Sequence, residues 1–354
     1  MGNLQIAFTI IINKNIIRLS ITDVNTTVKG LEGLHMRISG VTYAVRKTHR
    51  TRKIILTVIV LLLLAVLAVV IFSGYKSWGL LHPDKKPLDT FTSNIVPEYK
   101  DIPSFGGVDK TIILKGWLFQ AKNSDRAVVL VHSYGSNRLQ FGVETVDLIK
   151  EFLKKGYTVF TFDLRNSGES GGKDSTFGYN EKDDVKGAVK YLNNQGYKHI
   201  TLMGFSTGAS ASILAATELD TVDVVIADSP YSDLHSYFLE SLDQWTNLPV
   251  FPFNRTVAFG VELTGNIDTS KASPVNAMTA ENPPNLMLIH AKEDTLIPVT
   301  NSIELFQKYS ALNSSGVEFW QVEGNGHADS YTKHKDEYLN RVFAFLDKVY
   351  PEEE

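Results

Sequence analysis

The chain has 354 residues, 43% of them hydrophobic and 21% charged, a globular balance that excludes wholesale disorder and low complexity. It holds no Cys, which excludes disulfide-stapled folds, thiolate-ligated zinc or iron–sulfur centres and any cysteine nucleophile. The formal charge of −4 hides an asymmetry: residues 1–53 carry nine Lys or Arg against two acids, leaving the rest acidic and, by its balance, no binder of nucleic acid.

Residues 1–36 alternate weakly and precede Met36, from which MRISGVTYAVRKTHRTRK forms a conventional basic leader, so Met36 is expected to be the true start. Residues 54–72 (IILTVIVLLLLAVLAVVIF) then run without a charge. At 1.5 Å per residue they span roughly 28 Å, close to the thickness of a bilayer's hydrocarbon core. The run is too long for a signal-peptide core and ends in FSGYKS rather than a small-residue cleavage site, so an uncleaved transmembrane anchor is expected. Arg46, Lys47, Arg50, Arg52 and Lys53 crowd its N-terminal flank, whereas only Lys76, Lys85 and Lys86 follow it. The positive-inside bias therefore keeps residues 1–53 cytoplasmic and the remainder outside a bacterial cell membrane. Residues 73–97 are polar, with His82-Pro83 and Lys86-Pro87, and read as a stalk lifting the domain off the surface.

Residues 98–354 read as the folded domain. Thr111–Gln120 alternates like a strand, and Arg126–His132 is a continuous Val/Leu run suited to a strand buried on both faces. The period then changes: Val143, Val146, Leu148, Ile149 and Phe152 form a helical stripe that Gly156 caps. Strand Tyr157–Asp163, a helix over Lys182–Asn194, strand His199–Phe205, the helical ASASILAA and strand Val222–Asp228 follow. Asn285–Ala291, a helix over Asn301–Leu312, Gly316–Val322 and a final helix over Tyr338–Val349 complete the series. Repeated β-α alternation implies an α/β fold, a mostly parallel sheet flanked by helices with ligands outside the carboxyl ends of its strands. Residues 229–284 interrupt the repeat with Tyr231, Tyr237, Phe238, Trp245, Phe251, Phe253 and Phe259, too apolar for a free loop, and are expected to form a small cap. Trp245 and Phe251 are the residues expected to receive an apolar acyl or aryl group.

The informative motif is Gly204-Phe205-Ser206-Thr207-Gly208. It lies between a strand and a helix, where small residues at both ends permit the sharp turn that exposes a nucleophilic Ser206. A serine hydroxyl needs a base to remove its proton and an acid to orient that base. Of nine His, His327 alone stands in a Gly-rich loop (Glu323–His327) just beyond a strand; His334, seven residues on, reads as solvated. Asp294 follows strand Asn285–Ala291 and is the expected acid, with Glu293 its rival and Asp228 a displaced alternative that reads better as a loop cap. The order Ser206, Asp294, His327 is that of α/β-hydrolases. The Thr207 N–H and the Tyr134 N–H, the latter in the loop after Arg126–His132, are the expected oxyanion donors.

From about residue 98 onward the chain resembles the α/β-hydrolases, most closely bacterial membrane-anchored hydrolases related to the serine aminopeptidase, monoacylglycerol lipase and feruloyl esterase branch. Beyond the Ser, Asp and His, the matching stretches are VLVHSYGSNR, FDLRNSGES, MGFSTGA and LIHAKEDTLIPV. The resemblance implies a scaffolding role for Asp163, Arg165, Gly168 and Ser170. Ser133 and Ala291 stand where the family usually has Gly, and the first substitution adds a Cβ to the oxyanion loop. No metal or organic cofactor is implied. The expected activity is an extracytoplasmic serine esterase working through an acyl-enzyme on a small-molecule, lipid or peptide acyl substrate. A peptidase or lipid-acyl hydrolase would use the same residues, and a catalytically silent binding protein is the alternative from another class.

Overall fold

The structure, a computed structural model, describes residues 6–12, 15–21, 35–38, 41–44, 49–90, 95, 97–103, 112–279, 283–324 and 326–351. Of the stretch expected to precede the true start at Met36, residues 1–5, 13–14 and 22–34 lie outside them, as does Thr111 at the head of the first expected strand. The chain divides into two units, Met1–Leu64 and Ala65–Glu354. In the first, β1 (Ile6–Ile12) pairs antiparallel with β2 (Asn15–Ile21), and β3 (His35–Ile38) with β4 (Val41–Ala44). Helix α1 (His49–Leu81) follows, and its stretch Thr51–Leu81 is long and apolar enough to cross a membrane, with a mean hydropathy of 3.6 in its most apolar window.

The second unit is built on an eight-stranded sheet whose strands are β5 (Glu98–Pro103), β6 (Ile113–Phe119), β7 (Arg126–Val131), β8 (Thr158–Phe162), β9 (His199–Phe205), β10 (Val224–Asp228), β11 (Asn285–Ala291) and β12 (Val317–Val322). Their spatial order is β12-β11-β10-β9-β7-β8-β6-β5. The pairings from β12 across to β8 are parallel, whereas β6 is antiparallel to β8 and β5 to β6. Alternate residues face opposite layers: Ala127, Val129 and Val131 of β7 enter one apolar cluster, Val128 and Leu130 the other. Helices α3 (Glu181–Asn194), α4 (Thr207–Ala216) and α9 (Thr300–Leu312) cover the first layer, and α2 (Glu144–Lys154) and α11 (Lys335–Val349) cover the second. The core of α2 is Val146, Leu148, Ile149 and Phe152, while Val143 lies outside it, exposed at the helix start.

The register aligns the carboxyl ends of the strands. Val131 is level with Gly204, Phe205 with Asp228, and Ala291 with Val322, so the loops leaving β7, β9, β11 and β12 open on one edge. Over that edge lie α5 (Leu234–Ser241), α6 (Asp243–Thr246) and α7 (Val250–Gly265), while α8 (Pro274–Ala277) joins the first layer through Val275. Tyr231, Tyr237, Phe238, Val257 and Val261 pack here with Leu80 and Leu81.

The polar stretch read as a stalk instead lies on the domain. Ser73 and Ser77 are buried, and the Ser77 hydroxyl is placed between the carbonyls of Ser73 (2.8 Å) and Val257 (2.9 Å). Small hydroxylic residues satisfied by backbone let two helices approach closely, so their polarity marks a packing face rather than solvent exposure. Further on, Lys85 donates to the Ser170 carbonyl at 2.6 Å, and Asn137 Nδ2 to those of Lys86 and Pro87. Strand β5, at the edge of the sheet, also falls within the range where the sequence suggested no element before Thr111, because EYKDIP lacks a clear alternation.

Candidate active site

Ser206 stands between β9 and α4 with φ 54° and ψ −123°, a conformation unfavourable for a residue with a Cβ. Its neighbours explain how the chain reaches it. A Cβ on Gly204 would come within 2.6 Å of Ala209 Cα, and one on Gly208 would collide with the His132 carbonyl. The strand and helix therefore meet at a separation only glycine permits, and the turn thrusts Ser206 upward. Its N–H donates to the Asp228 carbonyl at 2.7 Å, fixing the turn to β10.

Three of the expected side chains come together. His327 Nε2 lies 2.8 Å from Ser206 Oγ, and His327 Nδ1 lies 2.6 Å from Asp294 Oδ2. Asp294 is buried, and its Oδ1 accepts the N–H groups of Leu296 (2.9 Å) and Ile297 (3.1 Å). Burial pushes its carboxyl up, but hydrogen bonds from His290 and His327, reinforced by the positive charge either ring carries when protonated, outweigh that and hold it at about 2. An ionised Asp294 only accepts, so Nδ1 of His327 carries a proton and Nε2 of the neutral ring is left to accept from Ser206. Glu293 is exposed, and His334 is the N-cap residue of α11, its backbone N–H donating to the Ser330 carbonyl at 2.9 Å.

Two other histidines support this arrangement. His290, wholly buried, makes a 2.8 Å contact from Nε2 to the Ile297 carbonyl and a 2.7 Å contact from Nδ1 to Ser302 Oγ, with Nε2 also 3.4 Å from Asp294 Oδ2. The carbonyl requires Nε2 to donate, and Nδ1 meets the Ser302 hydroxyl. His132 receives the Leu164 N–H on Nε2 at 2.9 Å and donates from Nδ1 to the Ser133 carbonyl at 2.8 Å. Burial lowers its pKa, which suits an Nε2 that must accept. Sequence position alone had marked both only as strand residues; the signal was that each closes the strand just ahead of a site loop.

The loop expected to supply an oxyanion donor follows His132. The Tyr134 N–H points at Thr207 and donates to its hydroxyl at 2.9 Å, while the Thr207 N–H heads α4 with no acceptor inside the helix. Of the two expected donors, the Tyr134 N–H is thus taken up by the Thr207 hydroxyl. Ser133 makes use of its extra Cβ: its N–H and hydroxyl both donate to Gln140 Oε1, at 2.8 and 3.0 Å. The Tyr134 ring stacks on Phe177 at 4.5 Å and meets Trp245 edge-on at 5.1 Å, so the cap touches this loop. Phe251, by contrast, is 84% exposed and takes no part in the pocket.

Asp228 is not on His327. Its Oδ1 accepts the Ser229 hydroxyl at 2.9 Å, and Ser229 Oγ in turn accepts the Ala328 N–H at 3.2 Å, so it steadies the loop carrying His327. Asp163 binds the buried Arg138 at 2.5 Å, Arg165 binds Asp184 at 2.8 Å, and the Ser170 hydroxyl donates to the Asp163 carbonyl. A Cβ on Gly168 would strike the Asp163 carboxylate. All four bear on the loop framework rather than on Ser206.

Comparison with known proteins agrees with the fold and the chemistry. A sequence profile of the prolyl oligopeptidase family matches residues 144–352. The uncharacterised YqkD protein of Bacillus subtilis (strain 168) is 30% identical over 70% of this chain and 78% of its own length. Among solved structures, the Pyrococcus furiosus esterase Pf2001 superposes with a TM-score of 0.59 at 25% identity, covering 75% of this chain and 98% of that one. A Pyrococcus horikoshii acylaminoacyl peptidase shares the fold at 17% identity, with a TM-score of 0.53, over 72% of this chain and 41% of its own.

Proposed function

The chain belongs to the prolyl oligopeptidase family of serine hydrolases, within the α/β-hydrolase superfamily, and we propose that it is a membrane-anchored enzyme cleaving a carboxylic ester through an acyl-enzyme. The observation that carries this reading is the continuous contact from Ser206 Oγ through His327 to Asp294, 2.8 and 2.6 Å at its two links.

In the proposed sequence, His327 Nε2 takes the Ser206 proton as Oγ attacks the carbonyl carbon. Asp294 holds the opposite ring nitrogen and stabilises the imidazolium that forms. The Thr207 and Tyr134 N–H groups receive the developing oxyanion, the Thr207 hydroxyl turning aside to release the second. Collapse of the tetrahedral species expels the alcohol, which takes the proton from His327. Water, deprotonated by the same nitrogen, then attacks the acyl carbon, and collapse breaks its bond to Oγ, the proton passing from His327 back to Ser206 as the acid leaves. An ester is favoured because its alkoxide leaves more readily than an amine, and the esterase likeness across nearly the whole of that protein supports it. The family's name supports one second reading, cleavage of a peptide or other amide on the same residues. The apolar helix and its basic flank support an anchor at residues 54–72, with residues 1–53 cytoplasmic and the hydrolase domain, from about residue 98, outside.

The test uses the full chain in detergent: labelling by a fluorophosphonate, and hydrolysis of p-nitrophenyl esters from acetate to palmitate, each beside Ser206→Ala. Labelling and turnover that vanish in the variant support the proposal. Labelling without ester turnover favours the amide reading, and absence of labelling in folded protein overturns both.

A further inference from the structure

Helix α7 leaves an apolar stripe uncovered. Val250 is 52% exposed, Phe251 84% and Phe259 64%, with Arg255 on the same exposed side and without an ion-pair partner among the described residues. The opposite side of α7 rests on α1, and the contacts run in register. Phe253 meets Phe72 with ring centroids 6.1 Å apart, Thr256 Oγ1 lies 2.7 Å from Ser73 Oγ, Val257 O receives the Ser77 hydroxyl, and a Cβ on Gly265 would lie 3.0 Å from Leu81. Residue numbers rise together on both helices, so α7 beyond its kink at Phe251 is parallel to α1, and the residues from Phe253 onward have a known height along it. Phe253 is level with Phe72, the last residue of the apolar run, and Phe259 with about Ser77, while Phe251 stands at the kink that opens α7.

We propose that the exposed face of α7, centred on Phe251, Arg255 and Phe259, is a membrane-contact surface seated at the boundary between acyl chains and headgroups beside α1. This rests on the reading of α1 as a bilayer-spanning helix. A spanning helix is ringed by lipid, so a helix packed alongside its last apolar turn meets lipid at the same height. Ser77 lies about 7 Å beyond Phe72 along the axis, within the roughly 5–8 Å that headgroups add on each side of the hydrocarbon core. Tyr75 (71% exposed) and Trp78 (57%) stand on α1 at this level, as interfacial aromatics do. An apolar stripe carrying one Arg suits that boundary, the rings meeting acyl chains and the guanidinium meeting lipid phosphate. Because α6 follows α5 in the same cap and its Trp245 touches Tyr134, the roof of the active site would lie at the lipid surface.

The chain has no Cys, so single-Cys variants of the full protein carry one spin label each. Phe251→Cys and Phe259→Cys test the surface, Val66→Cys marks the span, and Lys122→Cys, exposed ahead of β7 at the opposite edge of the sheet, marks water. In vesicles of phosphatidylcholine and phosphatidylglycerol, collision with oxygen and with a water-soluble nickel chelate is measured for each. Labels at 251 and 259 are expected to meet nickel severalfold less often than the label at 122, and oxygen more often. Nickel access at 251 and 259 equal to that at 122, with 66 still shielded, overturns the inference and leaves the anchor standing. Nickel access at 66 itself overturns the anchor reading and this inference with it. Unchanged p-nitrophenyl acetate turnover shows that each labelled variant is folded.

Discussion

The hydroxyl of Tyr134 donates to the carbonyl of Leu80 at 2.6 Å, joining the last turn of α1 to the residue whose N–H faces Thr207. Burial pushes the phenol's pKa up, so the group stays a donor across the working range. Tyr134→Phe keeps the ring stacked on Phe177 but strips Leu80 of its partner. One lost hydrogen bond of this kind costs about 1 kcal/mol, or a fall in melting temperature of roughly 2–4 °C for a domain of this size. Ester turnover should fall by less than about tenfold, since the backbone donor remains. Tyr134→Ala removes the stacking as well and should cost several times more. Equal melting temperatures for Tyr134→Phe and the parent would show that the link to Leu80 contributes nothing.

His290 is expected to act as a positioning residue for Asp294. His290→Leu conserves bulk but leaves the Ile297 carbonyl, the Ser302 hydroxyl and one side of Asp294 without their partner. The expected result is a kcat about tenfold lower with little change in KM, because the acid is displaced rather than the substrate pocket. A purely structural role would not move the pH dependence, and here a definite sign follows. Asp294 has its folded pKa, about 2, below its unfolded value, so its stabilisation is complete above about pH 4 and is lost as pH falls toward 2. The linkage amounts to about 2–3 kcal/mol. It should shrink in His290→Leu and vanish in Asp294→Asn, as read from denaturant melts between pH 2 and 5. An unaltered acid limb in His290→Leu would assign Asp294's low pKa to His327 alone.

Much of this site is legible in the sequence because its parts are local. The Gly204–Gly208 turn, the Gly-rich approach to His327 and the acid after β11 each combine a strand end with a loop, and the parallel fold then brings strand ends together without further instruction. What stays hidden depends on partners far apart in the chain. The packing of Ser73 and Ser77 on α7 is invisible until residues some 180 positions apart are neighbours, so their polarity reads as a solvated stalk. Phe251 and Trp245 are both cap aromatics by composition, yet one faces out and the other faces Tyr134. Only the kink and direction of α7 separate them.

That separation makes the two cap aromatics a controlled pair. Trp245 meets Tyr134 and Phe177 edge-on and donates from Nε1 to the Tyr237 hydroxyl at 2.5 Å, so its removal opens space above the oxyanion loop. Trp245→Ala should shift the preferred ester chain length in the p-nitrophenyl series and lower kcat/KM at the parent's optimum by about tenfold. Phe251→Ala should leave kcat/KM for short, water-soluble esters within about twofold of the parent. An identical chain-length profile in Trp245→Ala would place the acyl chain elsewhere.

Asp228 tests the identity of the acid through the opposite sign of linkage. It is fully buried, and burial raises its carboxyl to about 7 although the Ser229 hydroxyl partly offsets this. Its folded pKa thus exceeds the unfolded value of about 3.9. Between about pH 4 and pH 7 the unfolded chain releases this proton while the folded chain keeps it, so stability declines through that window, by up to roughly 4 kcal/mol. Asp228→Asn retains an oxygen for the Ser229 hydroxyl and removes the titration. The variant should therefore melt higher than the parent at pH 8, with the gain fading by pH 4, and should keep its esterase activity because His327 rests on Asp294. Activity lost to the same degree as in Asp294→Asn would make Asp228 the acid in the working enzyme. An equal melting-temperature difference at both pH values would mean that Asp228 is already ionised in the folded state well below pH 7.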